Sequence, residues 1–308
     1  MRANGRLPTL RSRLVLLALV LLVPALLAAA LTLYAGYRQA RQEVERHLQE
    51  TSRALSLVVD RQFGQAEALL WALSASRQLR AGDHAGFDGL AREAVRIPGA
   101  WVVVEEDGRQ VVNTRLPPGS PLPETGTAYR QGRHAGQIRI SDLFMGTVAR
   151  TPSVAVDVLI DAGNGRERHL SVIMEADTIA RILADQGLPP SWNGAILDRN
   201  GIIVARTPDH ERFVGRSATG DNLERIRHAV AKGVFESVNL TGVETVLALA
   251  RSPTSGWTMI LAVPRTELTA GLRNLALLLA GAAGLLTALG AGFAAHVARR
   301  ITGPVEGL

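Results

Sequence analysis

Two apolar runs without a single Asp, Glu, Lys or Arg, Leu14 to Tyr37 and Leu275 to Val297, bracket more than two hundred residues of mixed polarity in this 308-residue chain. At a rise of about 1.5 Å per residue, each run is long enough to cross a hydrocarbon core about 30 Å thick. The centre of the chain is therefore expected on one side of a membrane, entered and left by one helix each. Basic residues beside a span resist translocation. Arg2, Arg6, Arg11 and Arg13 precede the first run with no acid among them, Arg38 and Arg41 beyond it are mixed with Glu43 and Glu45, and Arg299 and Arg300 follow the second run. Both termini are predicted to be cytoplasmic and the centre extracytoplasmic. A cleaved signal peptide is the competing reading of the first run, with Ala28-Ala29-Ala30 as small residues for a peptidase. Against it, the run continues through Leu31, Leu33 and Tyr34 and leads into another helical pattern. Pro24 in mid-span is tolerable where neighbouring helices satisfy the freed backbone group.

Composition excludes several functions. Hydrophobic residues make up 47% of the chain and charged residues 20%, a blend of two apolar spans and an ordinary folded domain. The net charge of +6 is nearly all arginine, with Lys232 the one lysine, and the arginines are scattered without aromatic interleaving. That pattern argues against a nucleic-acid partner. Zero cysteines remove disulfides, thiolate chemistry and cysteine metal sites. No HExxH, GxSxG, Walker loop or GxGxxG occurs, and the seven histidines (47, 84, 134, 169, 210, 228 and 296) lack ligand spacing, although His84, His134 and His169 could converge in space. No catalytic centre, metal or cofactor is expected. Asp209-His210-Glu211 reads as a loop, and the Asn239-Leu240-Thr241 sequon as a chance occurrence.

From Arg38 to Ser76 no proline intervenes, and Val44, Leu48, Leu55, Val58, Ala66, Leu69 and Leu73 paint one stripe, predicting a long stalk helix. The stripe suits core packing and a dimer contact equally. Asp83 is placed to cap a second helix, His84 to Arg96, before Pro98. Strands follow, with an internal repeat: residues 102–114 read VVVEEDGRQVVNT and residues 195–207 read AILDRNGIIVART. Asp107-Gly108 and Asn200-Gly201 favour two-residue hairpins. Each copy is followed by a second pair of β-rich runs, Ser153 to Ile160 with Leu170 to Met174, then Glu244 to Ala250 with Trp257 to Val263, joined through Asn164-Gly165 and Ser255-Gly256. Two related antiparallel sheets in tandem are predicted. A helix from Asp177 to Asp185 stops at Gly187 and Pro189-Pro190 and divides the modules, while Asp221 is placed to cap a helix reaching Ala231 to Gly233. Prolines and glycines between Arg115 and Gly136 predict a long surface connection over the first sheet.

The order of these elements resembles the double Cache sensor family, the extracytoplasmic PAS-like modules of bacterial receptors. NTRLPPGSPLP (113–123), ISDLFMGTVARTPSVAVDV (140–158) and SPTSGWTMILAVPRTEL (252–268) look like segments of Cache-containing sensor histidine kinases, and the closing ARRITGPVEGL, with Pro304, is similar to the start of a HAMP linker. The resemblance implies an α+β architecture of two tandem PAS-like antiparallel-sheet modules, a long N-terminal stalk helix and two flanking transmembrane helices. Its divisions are a cytoplasmic N-terminus (1–13), a first span (14–37), stalk and flanking helices (38–97), a membrane-distal module (98–187), a membrane-proximal module (188–268), a second span (269–297) and a HAMP-like start (298–308). It also implies an inner-membrane receptor input for a small-molecule ligand, passing its signal to a cytoplasmic output that lies beyond this sequence or on another polypeptide. A histidine kinase is the expected output; a chemoreceptor or diguanylate cyclase is the alternative. An extracytoplasmic hydrolase and a passive membrane-tethered interaction module are the readings from other classes.

The resemblance places the ligand in the distal module, beneath the 115–145 connection. The polar and aromatic candidates there are Trp101, Asn113, Arg115, Tyr129, Arg139, Asp142 and Phe144. An arginine can hold a carboxylate through two parallel hydrogen bonds, an aspartate can meet an ammonium, and aromatics can exclude water, which suits a small organic acid or zwitterion. The plain alternative makes Trp101 and Phe144 core, pairs Arg139 with Asp142, and leaves Asn113 to hold a turn. The aromatic and arginine signature of the amino-acid-binding double Cache group is missing. In the second apolar run Ala280, Gly284, Ala288 and Gly292 recur every fourth residue, a stripe on which two copies could pair into a homodimer.

Overall fold

A computed structural model describes residues 10–123, 136–161 and 167–268, with 276–278, 280–285, 287–288, 290 and 292 of the last apolar run, and side chains from residue 23 onward in that set other than 25 and 26. Two compact units divide the chain, 45–264 and 1–44 together with 265–308. Among the described residues no helix is long and apolar enough to cross a membrane. The first expected span lies partly, and the second largely, outside the residues so described.

Helix α1 (Leu10–Ser74) is continuous, with Pro24 inside it. Its buried stripe in the 45–264 unit is Leu48, Ser52, Leu55, Ser56, Val59, Phe63, Ala66, Leu70 and Leu73, while Leu57 and Trp71 lie exposed. The expected stripe is thus core within one chain, shifted by a residue at Val59 and Leu70 from the predicted Val58 and Leu69. Helix α2 (Arg77–Ala81) begins at Ser76, whose side chain accepts from the Leu79 N–H, and α3 (His84–Ala94) at Asp83, whose carboxylate accepts from the Gly86 N–H.

The first sheet contains β1 (Ala100–Glu106), β2 (Arg109–Asn113), β3 (Ile138–Ile140), β4 (Phe144–Met145), β5 (Pro152–Asp161) and β6 (Glu167–Glu175), in the order β2-β1-β6-β5-β3 with β4 against β5. After α4 (Ala176–Ala184) come β7 (Asn193–Leu197), β8 (Ile203–Thr207), α5 (His210–Phe213), α6 (Gly220–Arg227), β9 (Lys232–Val238), β10 (Glu244–Arg251) and β11 (Thr258–Pro264). The second sheet runs β8-β7-β11-β10-β9. Strand for strand the two orders are the same, and every pairing is antiparallel. The repeat seen in the sequence is therefore a repeat of topology.

Three expectations are corrected. Asp107 and Gly108 do form a two-residue hairpin, with φ of 50° and 82°. The second hairpin has a longer turn: Asp198 Oδ1 accepts from the N–H groups of Asn200 and Ile202, so a buried carboxylate shapes it and only Gly201 takes a positive φ, 75°. Thr219, not Asp221, holds the N-cap position of α6, and that helix ends at Arg227. Residues 232–238, expected in part to be helical, form an edge strand instead, because pairing with β10 satisfies their backbone.

Candidate ligand-binding face of the first module

Alternation along the strands gives the first sheet two unlike faces. One is aliphatic: Val102, Val104, Leu170, Val172, Met174, Val154, Val156 and Val158 are all fully buried. At its end Glu106 Oε1 lies 2.6 Å from Arg168 Nε and 3.2 Å from His84 Nε2, and Arg168 also donates to the Leu79 carbonyl, so this face looks toward α2 and α3. Burial alone would raise the Glu106 carboxyl; hydrogen bonds from Arg168 and then His84, with their charge, outweigh it and hold the group below its ordinary range.

The opposite face is polar. Register places Asn113 opposite Val103, Val103 opposite Ser171, Ser171 opposite Asp157 and Asp157 opposite Arg139, a single row across the sheet. The adjoining rows hold Glu105 with His169 and Leu159, and Trp101 with Ile173 and Ala155. Facing residues in such rows have Cβ atoms about 5 Å apart, within reach of one small ligand. Glu105 is 1% exposed, Asp157 2% and Ser171 2%. Carboxylates are almost never this buried unless paired, and here two of them share a sheet face with an arginine. Such a face can hold a small molecule carrying both an acceptor and a donor.

Five of the predicted site residues border this face. Trp101 is 4% exposed and packs with Val103, Ala155 and Ile173, with Phe144 against them, so the two aromatics form the apolar wall. Arg115 lies over the Trp101 ring at 5.0 Å and pairs with Glu175 at 2.6 Å. Asn113 accepts from the Arg115 N–H and donates to Gln110, fixing the turn that carries Arg115. Arg139 stands on β3 at the end of the polar row. Tyr129 lies outside the described residues, as do residues 124–135 of the connection expected to cover the face.

Asp142 is engaged elsewhere. Its Oδ1 accepts from Arg199 Nε at 3.0 Å and from the Arg199 N–H, and its Oδ2 from Asn200 Nδ2. Arg199 Nη2 also donates to the Ile140 carbonyl at 2.7 Å, and Asp198 Oδ2 accepts from the Leu143 N–H at 3.1 Å. The turn of the second hairpin is thus bracketed onto residues 140–143 of the first module. Burial pushes the Asp198 carboxyl up, against the backbone N–H groups of Ile202, Leu143 and Asn200 that pull it down. A contact between distant segments leaves no local spacing in the sequence, so Arg199 as the partner of Asp142 and Asp198 as the acceptor for the Leu143 N–H were not legible.

Glu105, Asp157, Ser171 and His169 were missed as a group. Their signal was present in the sequence: Asp157 interrupts the apolar run VAVDVLI, and Glu105 follows four apolar residues. A charge inside a buried strand is the observation to stop on. His84 and His169 lie on opposite faces of the sheet, His134 lies outside the described residues, and no group of three metal-ligating side chains occurs among the described residues. Asp209-His210-Glu211, read as a loop, begins α5, with His210 Nε2 3.0 Å from Asp177.

No protein-family model matches the chain, and no curated protein matches it. Solved structures do. The asparagine-bound ligand-binding domain of Mlp24 is similar over 77% of this chain and 98% of its own, at 12% identity and a TM-score of 0.58. The periplasmic sensory domain of the Campylobacter jejuni chemoreceptor Tlp1 is similar over 74% and 98%, at 12% identity and a TM-score of 0.57. The extracellular domain of mmHK1S-Z3, assigned as a histidine kinase, is similar over 77% and 98%, at 14% identity and a TM-score of 0.56. The chain has the fold of extracytoplasmic ligand-binding sensor domains.

Proposed function

We propose that this chain is the extracytoplasmic sensing region of a bacterial inner-membrane receptor, binding a small organic acid or zwitterion on the polar face of its first, membrane-distal module. The observation that carries the reading is the row of buried Ser171 and Asp157 with half-buried Arg139, flanked by Glu105 and walled by Trp101 and Phe144. Asp157 offers a site for an ammonium, and Arg139 or Arg115 for a carboxylate. Asparagine and L-arginine are named with two of the similar domains, which brings amino acids into the screen although the sequence lacks the family's amino-acid signature.

Residues 14–37 and 269–297 cross the membrane in this reading, and both termini are cytoplasmic. A second copy pairs along the last span. The output is a histidine kinase, with a chemoreceptor or cyclase as the second reading, since similar domains come from both kinases and chemoreceptors. Signalling needs a ligand that binds one arrangement of the modules better than another. Arg139 adjoins Ile140, whose carbonyl accepts from Arg199, so a ligand drawn to Arg139 acts one residue from the junction.

The test is a thermal-stability screen of the full chain in detergent against small carboxylic acids and amino acids. One class should raise Tm in a concentration-dependent way, and Asp157→Asn should abolish the shift while the variant still unfolds cooperatively. No shift from any of these compounds, or none that Asp157→Asn removes, contradicts the proposal. A periplasm-dependent phosphatase inserted at the 240–242 turn should be active; an inactive, cytosolic reporter refutes the topology.

A further inference from the structure

The second module carries a partly open cavity of about 60 Å3 on the corresponding face of its own sheet. At roughly 15 Å3 per water, that is room for about four waters or one molecule of a few heavy atoms. Its floor is aliphatic, with Leu247, Ile260 and Ala262, and its rim is polar, with Arg206, Thr219 and Ser237. Three rim atoms are buried and make no hydrogen bond: Arg206 Nε, Thr219 Oγ1 and Ser237 Oγ. Arg206 is 7% exposed and Ser237 9%. The guanidinium lies over the Phe213 ring at 3.9 Å and reaches Asn193 Oδ1 only at 3.4 Å. Thr219 holds the N-cap position of α6 without using its hydroxyl as a cap. Buried donors left unmade are costly, and three around one void point to an absent occupant.

We propose that this cavity is a second ligand site, separate from the polar face of the first module, that takes a short-chain aliphatic carboxylate of about two to four carbons. The carboxylate meets Arg206, with the Thr219 and Ser237 hydroxyls donating to its remaining lone pairs. The alkyl end lies on Leu247 and Ile260. An uncharged occupant would leave the buried guanidinium without a counter-charge at the cavity, and a dicarboxylate would carry a second charge onto the aliphatic floor. The site goes beyond the distal-module reading and stands whether or not that reading holds.

The test titrates the full chain in detergent with sodium propionate, against sodium chloride at equal ionic strength, and follows Tm together with saturation transfer to the propionate methyl protons. Propionate, and not chloride, should raise Tm and show transfer. Thr219→Val, which keeps side-chain shape and removes one hydroxyl, should weaken the apparent affinity about fivefold, and Arg206→Gln by roughly 10–100-fold. Asp157→Asn, altered only in the first module, should leave propionate binding as it is. Absence of any propionate effect overturns the proposal, as does an effect that persists in Arg206→Gln and Thr219→Val. An effect lost in Asp157→Asn but kept in Arg206→Gln would place propionate in the first module and also overturn it.

Discussion

The two modules share one strand order and differ in what the same sheet face presents. Aligned by register, the polar row of the first module meets its counterparts in the second: Leu249 stands where Asp157 does, Ile260 where Ser171 does, Gly233 where Arg139 does, Leu197 where Glu105 does. The second module uses this face as core, with Leu197, Ile203, Phe213, Ile226, Leu247, Leu249 and Ile260 in one cluster. One position reverses the trend, since Asn113 of the first module corresponds to the buried Arg206 of the second. A face spent on packing stabilises its own module. A face carrying buried charges does so only when paired or occupied. The contrast is between a second module whose face is core, with one polar corner at Arg206, and a first module whose corresponding face carries buried carboxylates.

Exchange of character across the two faces should break the comparison most severely. Leu249→Asp puts the first module's carboxylate into the second module's core, where Leu249 is fully buried. It should cost at least about 4 kcal/mol, seen as loss of cooperative unfolding in urea or of soluble folded protein. A variant as stable as the parent would mean that the second face is not core.

The support behind the first module's polar face comes next. Glu106 stands against Arg168, which is 5% exposed, so Glu106→Gln leaves that cation without its charge partner and should cost about 3 kcal/mol at neutral pH by denaturant unfolding. Because the folded carboxyl titrates below its ordinary value of about 4.5, its contribution is complete above that pH and is lost as pH falls through the folded value. Glu106→Gln should therefore flatten the acid limb of the stability profile. Asp198, raised by burial, works the other way: its contribution is present below its ordinary value of about 3.8 and lost as pH rises through the folded one.

The smallest effect falls on the link between modules. Arg199→Ala removes the donors to Asp142 and the Ile140 carbonyl and should cost about 1–3 kcal/mol. Its signature is calorimetric. Where the parent unfolds in one transition, the variant should separate into two, and a single unshifted transition would remove the junction from the coupling path.

Architecture was legible because its signals are periodic. The repeat at 102–114 and 195–207, the cap at Asp83 and the stop after α4 each follow from local chemistry, and each lies where expected. The candidate site was legible in part. Trp101, Phe144, Asn113, Arg115 and Arg139 were singled out because they flank a loop expected to cover a sheet, and all five border one sheet face. Asp157, Glu105 and Ser171 were passed over as strand residues, since their meaning depends on which face is which, and only register across β1, β6, β5 and β3 decides that. Arg206 hid for the same reason, as one scattered arginine among many.

Hydrogen–deuterium exchange of the full chain, with and without the metabolite whose Tm shift Asp157→Asn abolishes, tests the central claim most directly. The account predicts protection on 101–105, 139–140, 155–157 and 169–173, with a weaker change at 140–143 and 198–201. Protection confined to 193–262, or none in either sheet, would contradict it.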